Sequence, residues 1–184
     1  EAKAVIPAHS YARLYREAQR RRDVAEVLAR LGRELTGTLE TERIAELVTR
    51  GIVDLLGVQG SVVFRLQPED GTLHAIAAYG PAAFLVRDVV LEAGEGIAGR
   101  AVVEHKVVMT SDVTQEPRVE HTAEHRAALA RHDIGAMLGI PLFSQERTIG
   151  ALVVGDHTGR EFTEDELQAV QAFALAKKWL GGRA

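Results

Sequence analysis

Two glycine-containing runs, at residues 94–100 and 135–142, constrain the fold of this chain most strongly. The first run has three glycines within six residues, at positions 94, 96 and 99, a pattern typical of a turn that leads into a short helix. The second run begins a pair of strands that ends at residues 150–155 and is joined by a short hairpin loop. The stretch between the two runs is too polar and too rich in histidine to be core. We therefore expect a small sheet with one long excursion that forms the wall of a pocket.

Helical periodicity is present on both sides of this region. Residues 8–36 contain no proline and carry four apolar residues at heptad-like spacing: Val24, Leu28, Leu31 and Leu35. So narrow a seam favours pairing with a second copy of the chain; packing on its own domain is the alternative. A second helix is predicted over residues 41–56. The last helix is predicted to begin after Thr163, an N-cap residue that forms a capping box with Glu166.

Segments rich in β-branched and aromatic residues indicate the strands. Six are predicted, at residues 61–66, 73–79, 89–91, 106–110, 137–143 and 148–154. Two further helices are predicted. One follows the turn at residues 94–99, and the other spans residues 120–132. This order of elements predicts an α+β fold in which an antiparallel sheet is flanked by helices.

The composition excludes several classes of function. The net charge of −4 provides no basic surface field for nucleic acid. The absence of cysteine excludes disulfides, thiolate metal sites and cysteine nucleophiles, and it fits a reducing compartment. No apolar run reaches the ~20 residues needed to cross a bilayer. We expect a soluble, cytoplasmic protein that does not insert into membranes.

Patterns that carry chemistry are few and weak. Gly94, Gly96 and Gly99 form G-x-G-x-x-G, but no strong strand or acidic partner supports a nucleotide site. His121 and His125 match the H-x-x-E-H pattern, in which two histidines on one helical face hold zinc. A zinc protease would also need a distal acidic ligand in its own fold, and this segment lies in an excursion of a sheet domain. Solvated histidines are therefore favoured, and no metal site is predicted. No Ser-His-Asp spacing is present, and we expect the chain not to be an enzyme.

Five short motifs occur in the order found in GAF domains, and each resembles the corresponding motif of that family. They lie at residues 92–101 (with GEGIAG), 107–113, 138–142 (LGIPL), 149–152 (IGAL) and 162–167 (FTEDEL). The resemblance covers about residues 38–178. It implies a GAF-like antiparallel sheet of about six strands with a ligand pocket on one face. It also implies that helices including the N-terminal and C-terminal ones pack on the other face and commonly form a dimer bundle.

Departures from the family patterns narrow the range of ligands expected for this chain. Cyclic-nucleotide-binding members carry an Asn-Lys pair, and this sequence has no asparagine. Bilin-attaching members use a cysteine, as do free-standing relatives that reduce methionine sulfoxide. In haem-binding members a histidine lies a few residues before the strand that residues 138–142 resemble. His132 occupies that position, so a haem-binding gas or redox sensor remains an alternative.

The resemblance implies a sensory or regulatory module of a signal transduction protein, such as a sensor histidine kinase of a two-component system. We expect residues 1–37 to form a dimerisation helix, residues 38–180 the sensory domain and residues 181–184 a tail. The expected partners are a second copy of the chain, an unidentified small molecule and an effector domain, and the sequence does not identify a cofactor. The predicted ligand-binding residues are Phe64, Tyr79, Met109, His125, His132, Met137 and Ile140. A ligand-free structural dimerisation module is the alternative.

Overall fold

The computed structural model describes residues 15–26, 41–86, 88–144 and 146–174. Most of the predicted N-terminal seam and the C-terminal tail lie outside the described residues. Within them, the helices are α1 (residues 15–26), α2 (Thr41–Leu56), α3 (Gly96–Glu104), α4 (Ala123–Arg131) and α5 (Glu164–Ala174). The strands are β1 (Gly60–Leu66), β2 (Leu73–Tyr79), β3 (Val90–Leu91), β4 (Val108–Thr110), β5 (Ile134–Ser144) and β6 (Arg147–His157). A short 3₁₀ helix, Ala83–Leu85, lies between β2 and β3.

All six strands form one antiparallel sheet in the order β3-β2-β1-β6-β5-β4. The long hairpin of β5 and β6 lies beside β1, and each of its strands has 11 residues. β3 and β4 are short edge strands, which limits the backbone exposed at the sheet edges. The predicted α+β class and six-stranded antiparallel sheet are confirmed.

One face of the sheet is covered by α2 and α5. Apolar residues at helical spacing place Ile44, Val48 and Ile52 of α2 against the strands, and all three are buried. Phe173 of α5 is fully buried in the same layer. α1 lies on this side as well, since its residues 17–25 line a groove with α5. The expected packing of both terminal helices on one face agrees with this arrangement.

The opposite face is covered by α3, α4 and the 3₁₀ segment at residues 82–86. We call these three elements the cover. α3 approaches β5 very closely at Gly139. A β-carbon added at Gly139 would lie 2.4 Å from Ile97 Cγ2, so only glycine permits this contact. A second apolar core forms here, with Leu129 of α4 buried against the sheet.

The start of α5 is fixed by polar contacts. Thr163 Oγ1 accepts a hydrogen bond from the Glu166 backbone N–H (3.3 Å), and Glu166 Oε2 accepts one from the Thr163 N–H (2.9 Å). The predicted capping box is therefore present. Arg160 adds ion pairs to the buried carboxylates of Glu166 and Asp156. These contacts tie the end of β6 to the first turn of α5.

Candidate ligand pocket

Two small chambers lie between the sheet and the cover. The first has a volume of about 50 Å³ and reaches Leu129 of α4 and Ile134 of β5. The second has a volume of about 40 Å³ and reaches Phe64, His121 and His125. They share four wall residues: Val62, Val86, Met137 and Val153. We call the two chambers together the pocket.

The lining of the pocket is almost entirely apolar. Among the described lining residues there is no aspartate, glutamate, lysine or arginine. Ser61 belongs to the wall of the first chamber, but it pairs with Val154, whose side chain packs in the α2–α5 core. Directly opposed residues point to the same face of a sheet, so the Ser61 hydroxyl points away from the pocket. The polar side chains that remain are His121 and His125, both at the second chamber.

His121 has two buried ring nitrogens, and neither has a hydrogen-bond partner. Its ring stacks on that of His125 with centroids 5.3 Å apart and planes inclined by 22°. Burial, together with the nearby charges of His125 and Arg126, lowers the pKa of His121 from 6.5 to about 4. Burial also lowers the pKa of His125, against the opposing effect of Glu95. At neutral pH the His121 ring is therefore uncharged and offers one donor and one acceptor.

The start of α4 positions both rings. Thr122 is the N-cap, and its Oγ1 accepts a hydrogen bond from the His125 backbone N–H (3.2 Å). The residue before the cap, His121, is held near α3 because the Gly96 N–H donates to the Glu120 carbonyl (2.7 Å). Gly96 adopts a φ of +63°, a conformation that favours glycine. A β-carbon there would make only an ordinary contact with the His121 ring, 3.5 Å from Cε1, so the turn and not the ring requires the glycine.

The glycine-rich turn before α3 forms part of the pocket wall. Gly99 packs directly on the turn, since an added β-carbon would lie 2.8–2.9 Å from backbone atoms of Gly94. This packing aims the first turn of α3 at the sheet, and Ile97 and Ala98 line the second chamber. The glycines thus allow close contact between backbone segments.

The sheet and the cover have counterparts in a known protein family. A family model described as the GAF domain matches residues 40–176, which include the whole sheet and the cover. The chain belongs to the GAF domain family. No curated protein sequence matches it.

Solved structures share the fold of this GAF domain. The GAF domain of a phosphoenolpyruvate-protein phosphotransferase from Coxiella burnetii has a TM-score of 0.70 at 22% identity, covering 83% of this chain and 89% of that one. The free methionine-R-sulfoxide reductase of Neisseria meningitidis, in complex with its substrate, has a TM-score of 0.67 at 16% identity, covering 86% and 88%. A phycocyanobilin-bound GAF domain from a cyanobacterial phytochrome has a TM-score of 0.63 at 25% identity, covering 83% and 92%.

Three of the seven residues predicted to bind ligand line the pocket of this GAF domain: Phe64, His125 and Met137. Ile140 lies three positions after Met137 on the same strand. Side chains alternate between the faces of a sheet, so Ile140 points the other way and is buried in the α2–α5 core.

A bulge turns Tyr79 away from the pocket. Phe64 pairs with Ala75 and Val63 with Ala77, so Ile76 is an extra residue in β2. Beyond the bulge the alternation of side chains reverses. The Tyr79 ring therefore lies on the face covered by α2 and α5, 4.9 Å from the guanidinium carbon of Arg50 in α2.

Met109 and His132 also lie outside the pocket. Met109 pairs with Leu138, whose side chain packs in the core under α2 and α5. Met109 lies on the edge strand β4 and is 47% exposed. His132 caps the C-terminal end of α4 and is exposed. Its ring contacts the exposed Phe84 edge-on, with centroids 4.9 Å apart. The structure therefore does not bring His132 to the pocket as a haem ligand would require.

His121 is the polar side chain of the pocket that the sequence-based prediction missed among the described residues. Its four-residue spacing from His125 was visible, but the rings looked solvated because the surrounding sequence is polar. In the part of the chain that the structure describes, no group of three or more potential metal ligands is present. No helix of the described residues is long and apolar enough to cross a membrane.

Proposed function

We propose that this GAF domain is a non-catalytic sensory or regulatory module that binds a small molecule in the pocket between the sheet and the cover. The observation that carries the proposal is His121, whose two buried ring nitrogens lack partners beside a cavity in which the other described side chains, except that of His125, are apolar. An unpartnered buried polar group costs about 1–3 kcal/mol, and a ligand that bonds to the His121 ring would recover this cost. Such a group within a small apolar pocket is typical of a binding site.

The chemistry of the lining favours binding over catalysis. The whole sequence contains no cysteine, and no carboxylate, lysine or hydroxyl group faces the chambers among the described residues. Among the described residues, neither imidazole is hydrogen-bonded to a carboxylate that would orient it as a general base. The likeness to a methionine sulfoxide reductase is at 16% identity and concerns the fold. We therefore propose binding without turnover.

A route for output leads from α4 to α5. The imidazole of His157 at the end of β6 lies 3.3 Å from the carboxylate of Asp133, two residues after α4. The Thr158 N–H also donates to the Asp133 carbonyl (3.3 Å), and Arg160 then pairs with Glu166 of α5 (2.8 Å). A ligand that shifts α4 would act on α5 through these contacts. We propose that α5 and the N-terminal helix pair with a second copy and pass the shift to an effector, such as a histidine kinase domain.

Filling the pocket provides the test. Val153→Ile adds one methylene group to a wall that both chambers share. Isoleucine, like valine, is β-branched and therefore suits a strand. Small aromatic probes, with toluene as the simplest, should bind the unmodified protein and lose at least fivefold in affinity to this variant in NMR titrations. Val90→Ile, on the half-exposed edge strand β3, is the matched control and should bind normally. Failure of every probe to bind the unmodified protein would instead support a ligand-free dimerisation module.

A further inference from the structure

We infer that the pocket selects an uncharged molecule with an apolar, ring-sized body and one short hydrogen-bonding group directed at His121. This inference rests on the proposed binding function and names the class of ligand. It is carried by three features of the pocket: the absence of a counter-charge among the described lining residues, the arrangement of the histidine pair and the division into two chambers.

The first feature is the lack of any fixed charge in the described lining. A carboxylate, phosphate or ammonium group that enters such a site loses its hydration without gaining an ionic partner. An unpaired buried charge is among the most costly features that a protein interior can contain. The pocket therefore discriminates against charged ligands, whatever their shape.

The second feature is the environment of the histidine pair. Glu95 and Glu120 are joined by a parallel backbone bridge next to His121, and Glu95 acts electrostatically on His125. Arg126 opposes them, and its positive charge disfavours protonation of His121. Charges of both signs therefore surround the rings, and neither sign of ligand charge is clearly favoured. The uncharged ring of His121 can donate one hydrogen bond and accept another, which suits an amide, an alcohol or a carbonyl.

The third feature is the division of the pocket. The chamber away from the histidines is bounded by apolar side chains and holds about 50 Å³, and the histidine chamber adds about 40 Å³. Met137 borders both chambers, and its unbranched side chain adapts readily to a change in shape. Movement of Met137 would join the chambers into one cavity of about 90 Å³, and the space that its side chain vacates would enlarge this towards the ~150 Å³ of apolar cavities that bind benzene. In the joined cavity the apolar body lies away from the histidines and the polar group lies beside His121.

Three probes of nearly equal shape test this inference: benzamide, benzoate and benzylammonium. Their affinities for the unmodified protein at pH 7 should be measured by NMR titration of backbone amides along β1 and β6. We expect benzamide to bind at least tenfold more tightly than either ion. Benzoate or benzylammonium binding as tightly as benzamide would overturn the inference.

Two variants assign the selectivity to His121. His121→Leu should weaken benzamide at least fivefold while leaving toluene, which has no polar group, within twofold. His74→Leu is the matched control, because His74 lies on β2 and does not line the pocket. Its ring is hydrogen-bonded to Thr72 Oγ1 (3.0 Å). An equal loss of toluene and benzamide in His121→Leu would show that His121 only shapes the pocket, and it would overturn the inference.

The outcomes for ligand class and for binding as such are separate. If ions bind at the pocket, the domain remains a binding module and only the uncharged class is wrong. If neither toluene nor any of the three probes binds, the pocket is closed, and the proposed function fails together with the inference.

Discussion

Replacing His121 with leucine should make the ligand-free protein more stable. In most buried positions a change of residue type is destabilising, so an increase in stability is a specific expectation. It follows because the native ring holds two buried nitrogens without partners, whereas leucine is similar in size and has no polar atom. Residues retained for binding at a cost in stability behave in this way.

The size of the effect comes from opposing contributions. Leaving polar atoms buried and unpaired costs about 1–3 kcal/mol. The substitution also removes the stacking on His125, a contact worth about 0.5–1.5 kcal/mol for aromatic pairs. The net expectation is a free energy of unfolding higher by about 1 kcal/mol at pH 7. For a domain of this size that corresponds to a rise in Tm of about 2–4 °C.

The pH dependence of stability gives a second signature. The pKa of His121 is about 4 in the folded protein and 6.5 for an unperturbed ring. Between these values the unfolded chain binds a proton that the folded protein does not, so stability falls as the pH falls from 6.5 towards 4. Because the residue is only half-buried, we expect a loss of about 1–2 kcal/mol after solvent screening is allowed for. His121→Leu should remove this part of the loss and leave the part due to His125, whose pKa burial also lowers.

Urea denaturation at pH 7.0 and pH 4.5, followed by circular dichroism, measures both effects. His74→Leu serves as the control, because losing its bond to Thr72 should lower stability by about 1 kcal/mol. A His121→Leu protein less stable than the unmodified protein by 1 kcal/mol or more at pH 7 would refute the argument. Such a result would mean that the ring nitrogens are satisfied in solution and that the ring is structural.

Three further predictions concern other parts of the fold. Gly99→Ala should lower the free energy of unfolding by about 2 kcal/mol in urea titrations, because its methyl group overlaps the backbone of the turn; Val103→Ala, exposed on the same helix, should change it by less than about 0.5 kcal/mol. Arg160→Ala should cost about 3 kcal/mol in thermal unfolding, because two buried carboxylates lose their partner, and an unchanged Tm would contradict the role given to these ion pairs. Sedimentation velocity over a range of concentrations should show a dimer, and a monomer at the highest concentration would exclude pairing through the terminal helices.

Local sequence rules accounted for most of the fold. The apolar spacing in α2 and the capping box at Thr163 act within a few residues, and both are present as predicted. The strands of the long hairpin extend further than predicted. Ile134 begins β5 directly after Asp133, which has a φ of +53°, and a register shift separates it from Ala136. Such irregular pairing depends on the partner strand and is not visible in the sequence of one strand.

The site was harder to predict because it depends on which way side chains point. Strict alternation could have shown that Met137 and Ile140 lie on opposite faces. The orientation of Tyr79 follows from the bulge at Ile76, which appears only once β1 and β2 are paired. His121 was overlooked because its burial comes from segments distant in sequence, and the polarity of its neighbours suggested exposure.

The most direct test of ligand binding in the pocket follows the imidazole signals of the histidines. The protein labelled at the histidine rings should be titrated with benzamide at pH 7 and observed by NMR. Binding in the pocket predicts that the His121 and His125 signals shift with one common dissociation constant, while those of the exposed His132 do not move. Unchanged His121 and His125 signals at saturating benzamide, or shifts confined to His132 and other exposed histidines, would contradict it.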